Sequence, residues 1–322
     1  MWFGERVVGS VMDDGRGGAY YFKQDMAGFP GGYFDVITAV QAGKTYYSAN
    51  IIDSSSNTVI NSWSDTWVSQ AGSAPLAYSG AAQTARQFTD NSIGALPHGG
   101  NVSPAQKYLL AYTLGNRSTG PTPGCVMWLY DRVLSYDECP IAAASTTMTN
   151  TLTAQRWVGT GLPGLRTVLT SSQTATGVTA SNLSVMTYTD ELNVAGNLVP
   201  YALPINASST AISTARFADV LTWSSATSGQ NYGPFLPCAA GDGGQKSIQN
   251  YTCTAANTGT MCFALIRPRM MMVVPDAGLL QSVDCIRDRF AFLRVYDGAC
   301  LGFLSFQGET GILTTNLTFV YN

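Results

Sequence analysis

Charge is scarce in this chain, and the scarcity limits its fold more than any motif does. Asp, Glu, Lys and Arg make up 11% of the 322 residues, where about 25% is usual for a soluble protein. A coiled coil needs charged e and g positions along its length, and 17 basic and 20 acidic residues cannot supply them. Disorder is excluded from the other side. Hydrophobic residues reach 45%, too many for a chain unable to bury a core. Ser, Thr, Asn, Gln and Gly fill the place of the missing ions. A net charge of −3 and a pI near 5.1 argue against general nucleic-acid binding, which requires clustered cations. Arg outnumbers Lys by 13 to 4. The planar guanidinium is the cation suited to buried or interface ion pairs. A soluble monomer usually carries a surface of mixed charge, so the composition predicts a surface much of which faces other protein.

The pattern of apolar residues is mainly β. Short runs of β-branched and aromatic residues recur, separated by turn clusters such as Gln41-Ala42-Gly43-Lys44 and Asp53-Ser54-Ser55-Ser56-Asn57. Strands are expected over 36–40, 45–52, 59–68, 166–170, 181–189, 217–223, 252–266, 270–274, 290–296, 302–306 and 314–321, and over 124–134 either a buried strand or a short helix. A helix is expected over 103–114, where Ser103 offers an N-cap, Pro104 the first helical position and Gly115 a stop. The Ala-rich stretch 74–88 could hold another. With no long amphipathic helix between strands, a parallel βαβ sheet is not expected. The fold class is β-sandwich or jelly-roll-like domains with one or two short helices. The Gly- and aromatic-rich residues 1–34 read as an extended N-terminal arm, 35–140 as a β-rich domain with a short helix, and 154–322 as a β-sandwich domain. The low-complexity run 141–153 reads as a linker.

Targeting and covalent signals are few. Residues 1–6 show no basic region followed by an apolar core, and no apolar run approaches the ~20 residues that span a bilayer. Synthesis in the cytoplasm is expected. Seven cysteines without a CxxC and a single histidine offer no structural zinc set. Buried free thiols are the simplest reading, with cross-links after release from a reducing cytosol as the alternative. The six N-x-S/T sequons are read as chance matches in a Ser/Thr-rich chain.

Chemistry is sparse. A histidine triad would have to use His98, and no GxSxG elbow exists. Gly43-Lys44-Thr45 lacks the earlier glycine of a phosphate loop, because Thr38 stands there. Asp13-Asp14-Gly15 and Gly241-Asp242-Gly243-Gly244 lack calcium-loop spacing and read as turns. Asp137-Glu138 and Asp190-Glu191 are adjacent carboxylates, whereas a glycosidase needs two facing each other across a cleft. Trp63, Trp67, Trp128, Trp157 and Trp223 could stack on sugars or fill cores. The dense charge cluster Arg267, Arg269, Arg287 and Arg289 suits ion pairing within or between subunits. No catalytic residue, metal or cofactor is expected.

Three stretches resemble virion structural proteins of tailed bacteriophages. They are Pro123-Gly124-Cys125-Val126-Met127-Trp128-Leu129-Tyr130-Asp131, residues 180–189 (ASNLSVMTYT), and Gly233-Pro234-Phe235-Leu236-Pro237 followed by Gly241-Asp242 and Ser247-Ile248-Gln249. The resemblance implies a non-enzymatic structural protein located in the virion, capsid-associated in a decoration, cement or minor-capsid role. Its expected partners are other copies of itself and other virion proteins, without nucleic acid or membrane. A tail fibre or spike domain binding host glycan is the alternative. The inter-subunit contacts expected on this reading are Trp2, Phe3, Arg6, Tyr20, Tyr21 and Phe22 of the arm, with Arg267, Arg269, Arg287 and Arg289.

Overall fold

The structure is a computed structural model. It describes residues 11–13, 19–21, 29, 33–53, 62–65, 82–92, 94–116, 123–152, 156, 164–171, 181–200, 203–204, 234–256, 260–276, 279–285, 293–307 and 312–322. In chain order the elements begin with β1 (Val11–Asp13), β2 (Ala19–Tyr21), α1 (Tyr33–Gln41), β3 (Thr45–Asp53), β4 (Ser62–Asp65) and β5 (Ala85–Gln87). They continue with β6 (Lys107–Asn116), β7 (Pro123–Pro140), β8 (Thr146–Thr147), β9 (Arg166–Ser171), β10 (Asn182–Asp190), β11 (Asn197–Leu198) and β12 (Leu203–Pro204). The last are β13 (Gln245–Cys253), β14 (Thr260–Asp276), β15 (Leu280–Asp284), β16 (Leu293–Val295), β17 (Leu301–Gln307) and β18 (Ile312–Tyr321). The protein is mainly β and sandwich-like, as its turn-punctuated strand pattern predicts.

Beyond the small β1–β2 ladder, the strands form three sheets. The central sheet runs β4-β17-β7-β14-β9, with β5 on β7. The front sheet runs β15-β6-β18-β3, with β16 on β6, and the side sheet runs β11-β10-β13-β8, with β12 on β10. The ribbon of β7 and β14, 18 and 17 residues long, is the backbone of the molecule. Both covering sheets pack on the same face of it. At one end Cys125, Met127, Leu129, Met272 and Val274 meet Tyr112, Leu114, Leu317 and Phe319 of the front sheet. At the other end Leu134, Tyr136, Phe263 and Leu265 meet Met186, Tyr188, Ile248 and Tyr251 of the side sheet.

Strict alternation would send Leu134 and Tyr136 to the face of Trp128 and Tyr130. Register shifts between Leu265 and Ile266, and between Pro268 and Met270, flip the parity and return them to the covered face. Pro268, which cannot donate to a ladder, sits at the second of these bulges, beyond the last residue paired with β9.

Several expectations are corrected. Residues 103–114 hold no helix: β6 occupies 107–116 and pairs with β15, β16 and β18. A cap and a proline contribute only about 1 kcal/mol locally, less than pairing both edges of a Tyr- and Thr-bearing strand and burying Tyr108, Leu109, Tyr112 and Leu114. Residues 36–40 are the reverse case. They lie in α1, which buries Val36 and Ala39 one turn apart against Tyr108 and Val320. Asp35 sits favourably in its first turn. Gly43, at φ +72, and the bond from Lys44 N–H to the Ala39 carbonyl close its C-terminus. The Gly43-Lys44-Thr45 triplet is thus a helix stop. Of the Ala-rich stretch, 82–88 carries β5 and no helix; the rest, like the strand expected over 217–223, lies outside the described residues. The expected strand 252–266 is the end of β13 and the start of β14, and 270–274 continues β14.

The supposed linker 141–153 contributes β8 to the side sheet and buries Ile141 and Met148 in its core. The boundary between 35–140 and 154–322 therefore does not coincide with a break in the sheets, since β7 pairs with β14 and β6 with β18. Within the arm, Phe29 is buried with its ring centroid 5.2 Å from that of Tyr108, and Tyr33 and Phe34 begin α1. All seven cysteines are free thiols, and all but Cys238 are buried. Burial pushes the Cys125 and Cys300 thiols up to about 12, away from reactive thiolate.

Candidate assembly surface

Among the described residues, a good share of this chain's few charges is turned inward. Asp65, Lys107, Asp131, Arg132, Asp137, Arg166, Asp190, Arg267 and Arg269 are all buried. Three ion pairs fasten peripheral segments to β7. Arg132 bonds Asp65 of β4, Arg156 grips Asp131 with Nε at 3.1 Å and Nη2 at 2.8 Å, and Arg86 of β5 lies 3.8 Å from Asp137. Arginine's fork is used within the chain, as the buried-pair reading of its excess over lysine allows.

This settles the position of two residues expected between subunits. Arg267 and Arg269 are 2% and 3% exposed, covered by the chain's own residues, and Arg269 donates to the Arg294 carbonyl at 2.6 Å. They present no surface to a neighbour. Tyr20 and Tyr21 lie in β2, opposite Met12 and Val11 of β1. Trp2, Phe3, Arg6, Phe22, Arg287 and Arg289 lie outside the described residues.

The exposed face of the front sheet is the opposite of the interior. One end of it, at Tyr108 and Val320, is covered by α1 and Phe29. Beyond that cover, β18 presents Thr314, Asn316 and Thr318, with Gly115, Thr113 and Ala111 beside them on β6 and Ile51, Ala49 and Tyr47 on β3. Leu280, Ser282 and Asp284 of β15 continue the same three rows. Asp284 is the sole ionic residue in these rows. Tyr47, Ile51 and Leu280 are 60%, 52% and 65% exposed. Sequence reasoning missed this face, because it placed a helix over β6. The signal available was the Thr-x-Asn-x-Thr alternation of 314–318, whose intervening and flanking positions Leu313, Thr315, Leu317 and Phe319 are buried.

The chemical candidates resolve into structural contacts. His98 is 1% exposed. Its Nε2 lies 2.9 Å from the Ala299 carbonyl, which can only accept, so Nε2 carries the proton and Nδ1 accepts from Lys107 Nζ at 3.0 Å. Lys107 also donates to the Gly100 carbonyl. An open cleft of about 400 Å³ lies alongside, lined by Tyr46, Asn101, Ser103 and Tyr321, but neither His98 nor Lys107 faces it. Asp242 accepts from Tyr188, Glu191 accepts from the Gly243 and Gly244 N–H groups at 2.7 and 2.8 Å, and Asp190 caps the turn at Leu192 and Val194. Among the described residues no group of three His, Cys, Asp or Glu is placed to hold a metal. Trp128 is buried edge-on to Phe235, and Trp63 is half-buried against Phe306, 5.5 Å between centroids. Trp67, Trp157 and Trp223 lie outside the described residues.

The chain matches no family model, no curated protein and no solved structure. Its residues alone carry the functional argument.

The His98–Lys107 pair makes stability depend on pH. Burial, then the neighbouring Lys107 cation, hold the His98 pKa below its ordinary 6.5. The neutral imidazole is therefore favoured by folding. Its contribution is complete above pH 6.5 and is lost as the pH falls below that toward the folded value. The unfolding free energy from urea titrations is expected to drop on acidification across this window, by at most about 1.4 kcal/mol per pH unit for one proton. His98→Gln, with an amide donor and acceptor and no titration, should flatten that slope.

Proposed function

We propose that this chain is a non-enzymatic structural protein of a phage virion, acting by packing uncharged β-sheet surface against other copies of itself and other virion proteins. One observation carries the assembly reading: among the described residues the exposed face of the front sheet is left almost without charge, while nine ionic side chains are spent in the interior. A monomer kept soluble by its own surface needs the reverse distribution. Symmetric repetition multiplies modest neutral contacts into a stable shell. The capsid-associated placement rests on the resemblance of 123–131, 180–189, and 233–237 with 241–242 and 247–249, to tailed-phage virion proteins. Sedimentation velocity over a wide concentration range, alone and with purified particles, tests both parts. The expected result is concentration-dependent self-association and co-sedimentation with particles. A chain that stays monomeric throughout and never associates with particles would overturn the proposal.

A further inference from the structure

β3 is an edge strand of an unusual kind. It pairs with β18 along all nine residues without a register shift, and no strand among the described residues pairs with its other side. Natural edges are blunted with lysine, proline, bulges or shortness, because a long regular edge recruits further strands. Over Thr45–Ile52 the sequence is TYYSANII, with no charge and no proline. The preceding Lys44 and the final Asp53 stand only at its two ends. Such an edge is fitted to be covered.

We propose that β3 is an inter-copy strand, pairing antiparallel with β3 of a second copy about a two-fold axis through Ala49. The inference rests on the assembly reading above and names the surface it uses. A two-fold axis demands that the strand be complementary to itself, and this one is. Centred on Ala49, Tyr47 stands opposite Ile51 of the second copy, an aromatic–β-branched pair of the kind that stabilises sheets. Ser48 stands opposite Asn50, and Ala49, small enough for the axis, stands opposite itself. No like charges meet. Tyr47, Ala49 and Ile51 are all exposed on the face shared with Thr314, Asn316 and Thr318, so the pairing continues the uncharged face from one copy into the next. Ser48, on the opposite side of the strand, is buried and accepts from Asn50 Nδ2 at 3.1 Å. The nine-residue ladder with β18 already holds the strand extended before a partner arrives. The contact is one strand wide, smaller than a standard interface of about 1,600 Å². Self-association through it alone is therefore reversible, and a repeating assembly adds the rest.

Cysteine placement tests the register. The Cα separation of directly opposed antiparallel residues, about 4.5–5.5 Å, falls within the range a disulfide accepts. Ala49→Cys is expected to give a covalent dimer on mild oxidation, whereas Tyr47→Cys and Ile51→Cys singly give none and the two together restore it. The parent chain, with six buried thiols and a half-buried Cys238, is the control. Charge placement tests the energetics: Tyr47→Lys with Ile51→Lys sets lysine against lysine twice and should weaken self-association about tenfold. Tyr47→Glu with Ile51→Lys sets opposite charges together and should recover it. Far-ultraviolet circular dichroism confirms that each variant is folded. If the chain associates but Ala49→Cys fails to cross-link, or Tyr47→Cys cross-links equally well, the edge pairing is wrong while the assembly reading stands. If the parent chain is monomeric at every concentration, both fall.

Discussion

Arg132→Met is expected to lower the unfolding free energy by about 3–5 kcal/mol, because it leaves a buried carboxylate without its counter-ion. Arg132 is fully buried, as is the carboxylate of Asp65 that it bonds. Tyr130 donates its hydroxyl to the other oxygen of Asp65 at 2.5 Å, and the guanidinium carbon lies 5.5 Å from the Phe88 ring centroid. Methionine fills much of the aliphatic volume but offers no donor. Asp65 then keeps the Tyr130 hydroxyl but loses the cation that balances its charge in a buried site. Removing both ions is a different experiment. Arg132→Met with Asp65→Leu deletes the charge and its partner together, and such exchanges are often neutral or stabilising. The expected signature in urea unfolding is therefore strongly non-additive: a large loss in the single variant and recovery of most of it in the double. Equal losses in single and double variants would show that the pair is valued for packing alone.

The sequence made the β class legible because the signal is distributed: turn clusters alternate with β-branched and aromatic runs along most of the chain, so no single segment decides it. Individual segments failed where a local signal and a tertiary one disagree. Ser103-Pro104 opens like a helix, yet Lys107–Asn116 is held on both edges by strands more than 160 residues away in sequence. Val36–Val40 reads as a strand by composition, yet it is held as a helix by a two-residue contact with Tyr108 and Val320. Along β7 and β14 the alternation itself changes sides at the bulges near Val133 and Arg269, and no periodicity count reveals which residue is the extra one. The arginine excess fitted buried or interface pairing alike, and composition could not distinguish pairs inside one chain from pairs between chains. Arg267 and Arg269, close to Arg287 and Arg289 in sequence, look like a surface cluster in one dimension and are interior in three. The uncharged face could not be seen at all until β6 was a strand.

Phe303→Ala is expected to cost about 3–5 kcal/mol, the range for emptying a buried phenylalanine site, and the shape of its unfolding curve decides how the molecule is divided. Phe303 is fully buried on β17 beside Leu129, and its ring stacks on Tyr112 of the front sheet with centroids 5.8 Å apart and planes inclined by 16°. It therefore joins the central and front sheets. Phe263, the corresponding buried ring at the other end of the β7–β14 ribbon, packs on Tyr251 of the side sheet at 4.9 Å. The two aromatic cores share no covering sheet, but they share both strands of the ribbon, whose ladder runs from Thr260 paired with Pro140 to Asp276 paired with Pro123. A strand cannot lose one half of its packing without exposing the backbone groups of the ladder between the halves. Damage at either core should therefore destabilise the whole. Phe303→Ala and Phe263→Ala are expected to shift one common urea transition, followed by tryptophan fluorescence and circular dichroism, with the slope unchanged. Two transitions, each moved by only one of the substitutions, would mean that the cores unfold independently and that the bulges near the middle of the ribbon act as a boundary between domains.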